Sequence, residues 1–75
     1  MKYRIDVDYY KYGEGYSHTE TIENTDTIPF PNVSEWEWEW DDNYYYTVRC
    51  VDNETETKMW ERQYEVENIK EGIND

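Results

Sequence analysis

The chain of 75 residues contains no leucine, no alanine and a single cysteine. Leucine and alanine are among the strongest helix formers, so their absence argues against a helical bundle. Cys50 has no second cysteine with which to pair, which excludes a disulfide-stabilised secreted domain and favours a buried thiol in a reducing compartment. The only histidine, His18, has no further nitrogen or thiol ligand at metal spacing, so we expect no zinc site.

The residues that are abundant indicate β-structure and a strongly acidic surface. Tyrosine occurs nine times and tryptophan four times, and aromatic and β-branched side chains suit a pleated, half-buried surface. Nineteen acidic residues against seven basic ones give a formal net charge of −12. This charge disfavours direct binding to nucleic acid and favours a basic partner, cations or a purely solubilising role.

The stretch over residues 35–40 alternates glutamate and tryptophan without exception. Side chains on a β-strand point alternately to opposite faces, so the three indoles would line one face and the three carboxylates the other. Residues two apart on a strand are separated by roughly 6.5 to 7 Å. This spacing is comparable to that of neighbouring phosphates along a nucleic-acid strand, and Asp41 and Asp42 extend the row.

Alternation and turn residues predict one all-β domain, a small five-stranded antiparallel sheet or a partly rolled barrel. The Gly13-Glu14-Gly15 turn indicates a hairpin, the polar second strand suits a sheet edge, and the fourth strand is apolar enough to be central. The predicted strands cover residues 2–12, 16–24, 33–40 and 44–51, with a fifth that contains Trp60, Tyr64 and Val66.

The C-terminal third is ambiguous between two elements. The alternation around Trp60 and Tyr64 favours a strand. A helix over residues 57–71 is the alternative, since Arg62, Val66, Ile69 and Ile73 fall on one helical stripe. Arg62 would lie on the apolar face of the strand, which suits an edge position. Residues 70–75 read as a flexible tail.

The predicted sheet separates an aromatic core from a charged face. Asp6 and Asp8 fall on the same face as the glutamate row, and Arg4 and Arg49 share their alternation phase and could pair with them across strands. The predicted core consists of Ile5, Val7, Trp36, Trp38, Trp40, Tyr46, Val48, Cys50, Trp60, Tyr64 and Val66.

Catalytic and metal sites are disfavoured by the residues present. The turns at 41–43 and 52–56 collect oxygen ligands, but neither follows a calcium-binding loop, and turn chemistry explains both. Paired carboxylates for glycoside hydrolysis need a cleft that a sheet of this size rarely offers. We therefore predict a protein that is not an enzyme and that binds no metal or cofactor.

Small size, strong acidity, β-pattern and the lack of a catalytic set make the chain similar to the nucleic-acid-mimicking inhibitors that bacteriophages and mobile elements use against host defence nucleases. The resemblance implies an anti-CRISPR or anti-restriction function, cytoplasmic in an infected bacterial host. The implied partner is a basic nucleic-acid-binding protein, either a nuclease or a CRISPR effector subunit, with no direct contact to nucleic acid or membrane. The predicted binding residues are Glu35, Glu37, Glu39, Asp41, Asp42, Asp6 and Asp8.

A second interpretation remains open, in which the acids serve solubility. The chain would then be a structural or adaptor domain that binds another protein, or a second copy of itself, through exposed tyrosines. The tyrosines expected on that surface are Tyr9, Tyr10, Tyr12, Tyr16 and Tyr45.

Overall fold

The computed structural model describes residues 1–71 and places most of them in one four-stranded antiparallel sheet. The order across the sheet is β2-β1-β3-β4, and the sheet does not close. The predicted all-β character and the central position of the apolar strand are confirmed, while the five-stranded count and the partial barrel are wrong. The elements are β1 (Tyr3–Lys11), β2 (Gly15–Thr25), β3 (Tyr44–Asp52), β4 (Lys58–Tyr64) and a short helix α1 (Val66–Lys70).

A tight turn joins β1 to β2, as the glycines predict. Gly13 and Gly15 have φ angles of +81° and +85°, a left-handed region that other residues enter at a cost in free energy. The amide of Glu14 donates to the carbonyl of Lys11 at 3.0 Å and closes the turn. The polar strand β2 then lies at one edge of the sheet, as expected.

The strand predicted over residues 33–40 does not form. This stretch contains a turn and irregular backbone, and it lies across the core-facing side of the sheet instead of pairing within it. Trp38 packs edge-on against Tyr46 of β3, with ring centroids 4.9 Å apart, and Trp36 stacks at 6.5 Å on Trp60 of β4. The segment thus buries its indoles against the sheet face instead of joining the sheet at an edge.

The C-terminal third contains both of the elements between which the sequence was ambiguous. Strand β4 ends at Tyr64, and Val66 opens helix α1, so the predicted continuation of the strand to Val66 is wrong. The backbone turns there because the Glu65 amide donates to Asn68 Oδ1 at 3.1 Å, which satisfies a donor at the helix start. Lys70 ends the helix rather than beginning a tail, and residues 72–75 lie outside the described residues.

The core lies between one face of the sheet and the segment over residues 33–40 that crosses it. Strands β1 and β3 supply most of it, Val33 comes from the segment, and α1 adds Val66 and Ile69. Tryptophans 36, 38, 40 and 60 pack against this core while remaining partly exposed. The buried residues of this core cluster are Ile5, Val7, Tyr9, Val33, Tyr46, Val48, Cys50, Tyr64, Val66 and Ile69.

Among residues 1–71, no helix has the length and the apolar character needed to cross a membrane.

Candidate anionic interface

The acidic segment, residues 35–42, keeps the alternation that the sequence predicts although it is not a strand. Its three indoles are partly buried toward the sheet, and all of its carboxylates are exposed. Alternation therefore sorts the side chains correctly between core and solvent, and the error lies in the backbone pairing. The exposed acids of the segment are Glu35, Glu37, Glu39, Asp41 and Asp42.

Buried aromatic side chains hold the backbone of the acidic segment to the sheet. The Tyr9 hydroxyl donates to the Glu39 carbonyl at 3.1 Å. The Tyr46 hydroxyl accepts from the Asp41 amide at 2.7 Å and donates to the Asp41 carbonyl at 3.2 Å. Since both tyrosine rings lie in the core, these bonds fix the height of the segment above the sheet.

The preceding turn is held in a similar way. The indole Nε1 of Trp38 donates to the Val33 carbonyl at 3.0 Å, and that of Trp60 donates to the Pro29 carbonyl at 2.9 Å. Buried indoles usually find such a partner. These two hydrogen bonds anchor the backbone just before the acidic segment and the connection that precedes it.

None of the acids in the acidic segment forms an ion pair with a lysine or arginine of residues 1–71. The segment itself contains no basic residue. Its five carboxylates therefore lie on one exposed, anchored stretch without an internal counter-charge.

Acids from other elements extend this surface. Glu20 of β2 lines a small cleft together with Glu39 and Asp41. On the other side, Asp42 lines a cleft of about 500 Å³ with Glu65 and Glu67, which lie at the start of α1. Sequence reasoning missed these three additions because they depend on long-range packing, which local alternation does not encode.

Asp6 and Asp8 lie on the opposite face of the sheet from the acidic segment, so the single charged face expected from the sequence does not form. In β1 their neighbours Ile5 and Val7 point into the core. Asp6 is only 5% exposed. It accepts from Arg4 Nε at 2.9 Å and from the Thr21 hydroxyl at 2.7 Å.

Asp8 is neutralised by a different arginine. Its carboxylate pairs with Arg49 of β3 and accepts a hydrogen bond from the Thr19 hydroxyl. Partial burial alone would raise the pKa of Asp8, but these bonds outweigh it and hold the pKa below its usual value. The expected cross-strand pairing of the arginines is confirmed for Arg49, whereas Arg4 pairs with Asp6 of its own strand and with Glu56 of the β3–β4 turn.

Arg4 also links the open face, which is the face of the sheet opposite the core, to the β3–β4 turn. Its guanidinium makes a two-pronged contact with Glu56, at 2.8 and 2.9 Å, and donates to Asn53 Oδ1 at 2.9 Å. Two-pronged arginine–carboxylate pairs are the strongest of the ordinary ion pairs. The open face is thus a network of internal pairs, with little anionic charge left for a partner.

The two oxygen-rich turns use their carboxylates to close the backbone. Asp41 Oδ1 accepts from the Asn43 amide at 2.8 Å. Asp52 Oδ1 accepts from the amides of Glu54 and Thr55 at 2.8 and 3.2 Å, and these bonds lower the pKa of Asp52. No set of three or more potential ligands in residues 1–71 has the geometry to hold a metal ion.

A tyrosine cluster occupies one end of the open face. Tyr10 stacks on Tyr45 with ring centroids 5.3 Å apart, and Tyr12 and Tyr16 lie beside this pair at 5.1 and 5.7 Å. Tyr12 and Tyr16 are 49% and 59% exposed. Tyr9, which the adaptor interpretation placed on this surface, instead lies in the core because it shares the phase of the apolar residues of β1.

Comparisons with models of known protein families, with curated proteins and with solved structures found no match to this chain.

Proposed function

We propose that this protein is a nucleic-acid mimic that binds the basic groove of a nucleic-acid-binding protein and excludes its ligand. One observation carries the proposal. The acidic segment presents five exposed carboxylates on an anchored backbone and pairs with no cation of residues 1–71, whereas the acids of the open face are internally neutralised.

The physical basis is competition for cations. Nucleic-acid-binding proteins derive much of their affinity from lysine and arginine contacts to phosphates. A row of carboxylates on a held backbone offers the same cations an alternative partner with little loss of conformational entropy. The targets that fit this chemistry are a restriction nuclease or a CRISPR effector subunit in an infected bacterial cell.

The proposed binding residues are acids that form no ion pair with a lysine or arginine of residues 1–71. The set comprises the five acids of the acidic segment, with Glu20, Glu65 and Glu67 extending it. Asp6 and Asp8 are left out because each already has an arginine partner on the far side of the sheet. Their contribution in this account is to the stability of the fold.

Charge reversal within the acidic segment tests the proposal. The variant with Glu35, Glu37 and Glu39 all changed to Lys should lose capture of the partner, because it presents cations to a basic groove. A matched control reverses Glu23, Asp26 and Glu54, which are exposed, lie outside the segment and form no ion pair within residues 1–71. Both variants change the net charge equally, so equal loss in both, or retained capture in the first, would contradict the proposal.

The tyrosine cluster favours a second candidate function, that of an adaptor domain which binds a protein partner through these rings. Tyrosine is enriched at protein interfaces, and two of the four rings are about half exposed or more. Salt dependence separates the candidates. Partner capture that falls steeply between low and moderate salt supports mimicry, and capture that is indifferent to salt supports the adaptor function.

A further inference from the structure

A cleft lies between the tyrosine cluster and helix α1. Its volume is about 330 Å³, at the lower end of the range of roughly 300 to 1,000 Å³ typical of small-molecule pockets. A volume of this size suits one amino-acid side chain better than a larger ligand. The lining residues are Tyr12, Tyr45, Gln63, Tyr64, Glu65 and Asn68.

The lining combines aromatic rings with a carboxylate. Tyr12 and Tyr45 form an aromatic wall, with centroids 5.1 Å apart and ring planes tilted by 43°. The Tyr12 hydroxyl donates to Glu65 Oε1 at 3.0 Å, which fixes the carboxylate beside the rings. Partial loss of water and this bond together raise the pKa of Tyr12 above its ordinary value near 10.

The charge of the cleft is unbalanced toward the negative. No lysine or arginine lines it, and Glu65 has no ion-pair partner in residues 1–71. The adjoining cleft shares Tyr12 and Glu65 and adds Asp42 and Glu67 against a single cation, Lys70. An occupant of the first cleft therefore meets a field that favours positive charge.

We propose that this tyrosine cleft binds a guanidinium group, namely an arginine side chain presented by a protein partner. A guanidinium stacks on aromatic rings and donates N–H bonds in its own plane to a carboxylate. The Glu65 carboxylate accepts from the Tyr12 hydroxyl and from the Asn68 backbone at the start of α1, so it is held in place with its full negative charge facing the cleft, and the Gln63 amide oxygen adds a further acceptor to the lining. A lysine ammonium would gain the charge contact but not the planar stacking.

The arginine site is tested separately from the proposed function, because a free arginine derivative can be titrated without any partner protein. The probe is Nα-acetylarginine methylamide, titrated into the isotope-labelled protein and followed by NMR. The neutral isostere Nα-acetylcitrulline methylamide is the reference. We expect the arginine probe to give saturable shifts at Tyr12, Tyr45 and Asn68, and the citrulline probe to give none.

Variants assign the binding to particular groups. Glu65→Gln keeps the oxygen acceptor for Tyr12 but removes the charge, and it should weaken binding roughly three- to tenfold. Glu54→Gln removes a charge at an exposed turn outside the cleft and should leave binding unchanged. Tyr45→Leu should weaken binding by a similar factor because it removes the aromatic wall, and Tyr16→Leu, a ring outside the cleft, should not.

Three results would overturn the proposal. They are equal shifts with the citrulline probe, unchanged affinity in both Glu65→Gln and Tyr45→Leu, or shifts confined to the acidic segment. The spectrum of each variant reports whether it remains folded. A cleft that fails this test leaves the groove-binding proposal standing, since the charge reversals at Glu35, Glu37 and Glu39 do not touch it.

Discussion

At the scale of single residues, acids that point away from the core in the same way differ in whether they have a cationic partner. Asp8 and Glu37 both alternate with apolar neighbours, yet Asp8 is paired with an arginine 41 positions away, and Glu37 pairs with no cation of residues 1–71. Alternation predicts that both point away from the core. It carries no information about which cation the fold brings to which acid, so the free and the neutralised carboxylates could not be distinguished from sequence.

The pairing of Asp8 makes a prediction about acid stability. Its pKa in the folded protein lies below the usual value of 3.8, so its contribution is present above about pH 4 and is lost as pH falls through the folded pKa. Asp8→Asn should lower the free energy of unfolding by about 1 kcal/mol at neutral pH, because Arg49 loses its charged partner. Urea midpoints should show this gap at pH 7 and its disappearance in strong acid.

Asp26 supplies the matched control for that measurement. It is exposed and forms no ion pair within residues 1–71, so Asp26→Asn should leave the midpoint nearly unchanged at both pH values. A gap between the parent protein and Asp8→Asn that is as large in acid as at neutral pH would refute the role assigned to this pair.

At the scale of elements, four strands and the first hairpin could be predicted because their signals are local. β-branched and aromatic alternation marks each strand, and the two glycines mark the turn. The strand expected over residues 33–40 fails for a non-local reason. Periodicity specifies which side chains are buried, but not what the backbone bonds to, and here the backbone at Glu39 and Asp41 bonds to the Tyr9 and Tyr46 hydroxyls above the sheet face.

The anchoring of the acidic segment depends on a hydroxyl. Tyr46→Phe removes the bonds to the Asp41 amide and carbonyl, which should release this part of the segment by about 1 kcal/mol. Amide exchange at Asp41 should then accelerate roughly fivefold relative to the amides of β1. NMR hydrogen exchange measures this ratio directly.

Tyr44→Phe is the matched control, since the Tyr44 hydroxyl forms no hydrogen bond within the part of the chain that the structure describes and its ring is only partly buried. It should leave exchange at Asp41 unchanged. Equal exchange in the parent protein and in Tyr46→Phe would show that the hydroxyl does not hold the segment.

At the scale of the whole molecule, the net charge of −12 opposes folding while the internal arginine pairs relieve only part of it. The unpaired acids of the acidic segment repel one another, and a structural role alone would not require this repulsion. Under the proposed function, these acids are retained because they form the binding surface. The sequence gives the size of the charge, whereas its division between two faces depends on the fold.

Salt should therefore stabilise the protein. Raising ionic strength from about 0.01 to 0.15 M shortens the Debye length from roughly 30 to 8 Å, which screens repulsion worth about 1 kcal/mol. For a domain of this size, that corresponds to a rise in Tm of roughly 4 to 8 °C. The variant with Glu35, Glu37 and Glu39 changed to Gln should show a smaller rise, and a Tm that falls with salt would mean that internal pairs dominate.

The central claim is that the acidic segment occupies a site that otherwise holds nucleic acid. The most direct measurement is an equilibrium competition, in which duplex DNA is titrated into the labelled protein bound to its captured partner and release is followed by fluorescence anisotropy. The account predicts that DNA and the protein displace each other completely and that no ternary complex forms. A stable complex that contains partner, DNA and this protein together would contradict it.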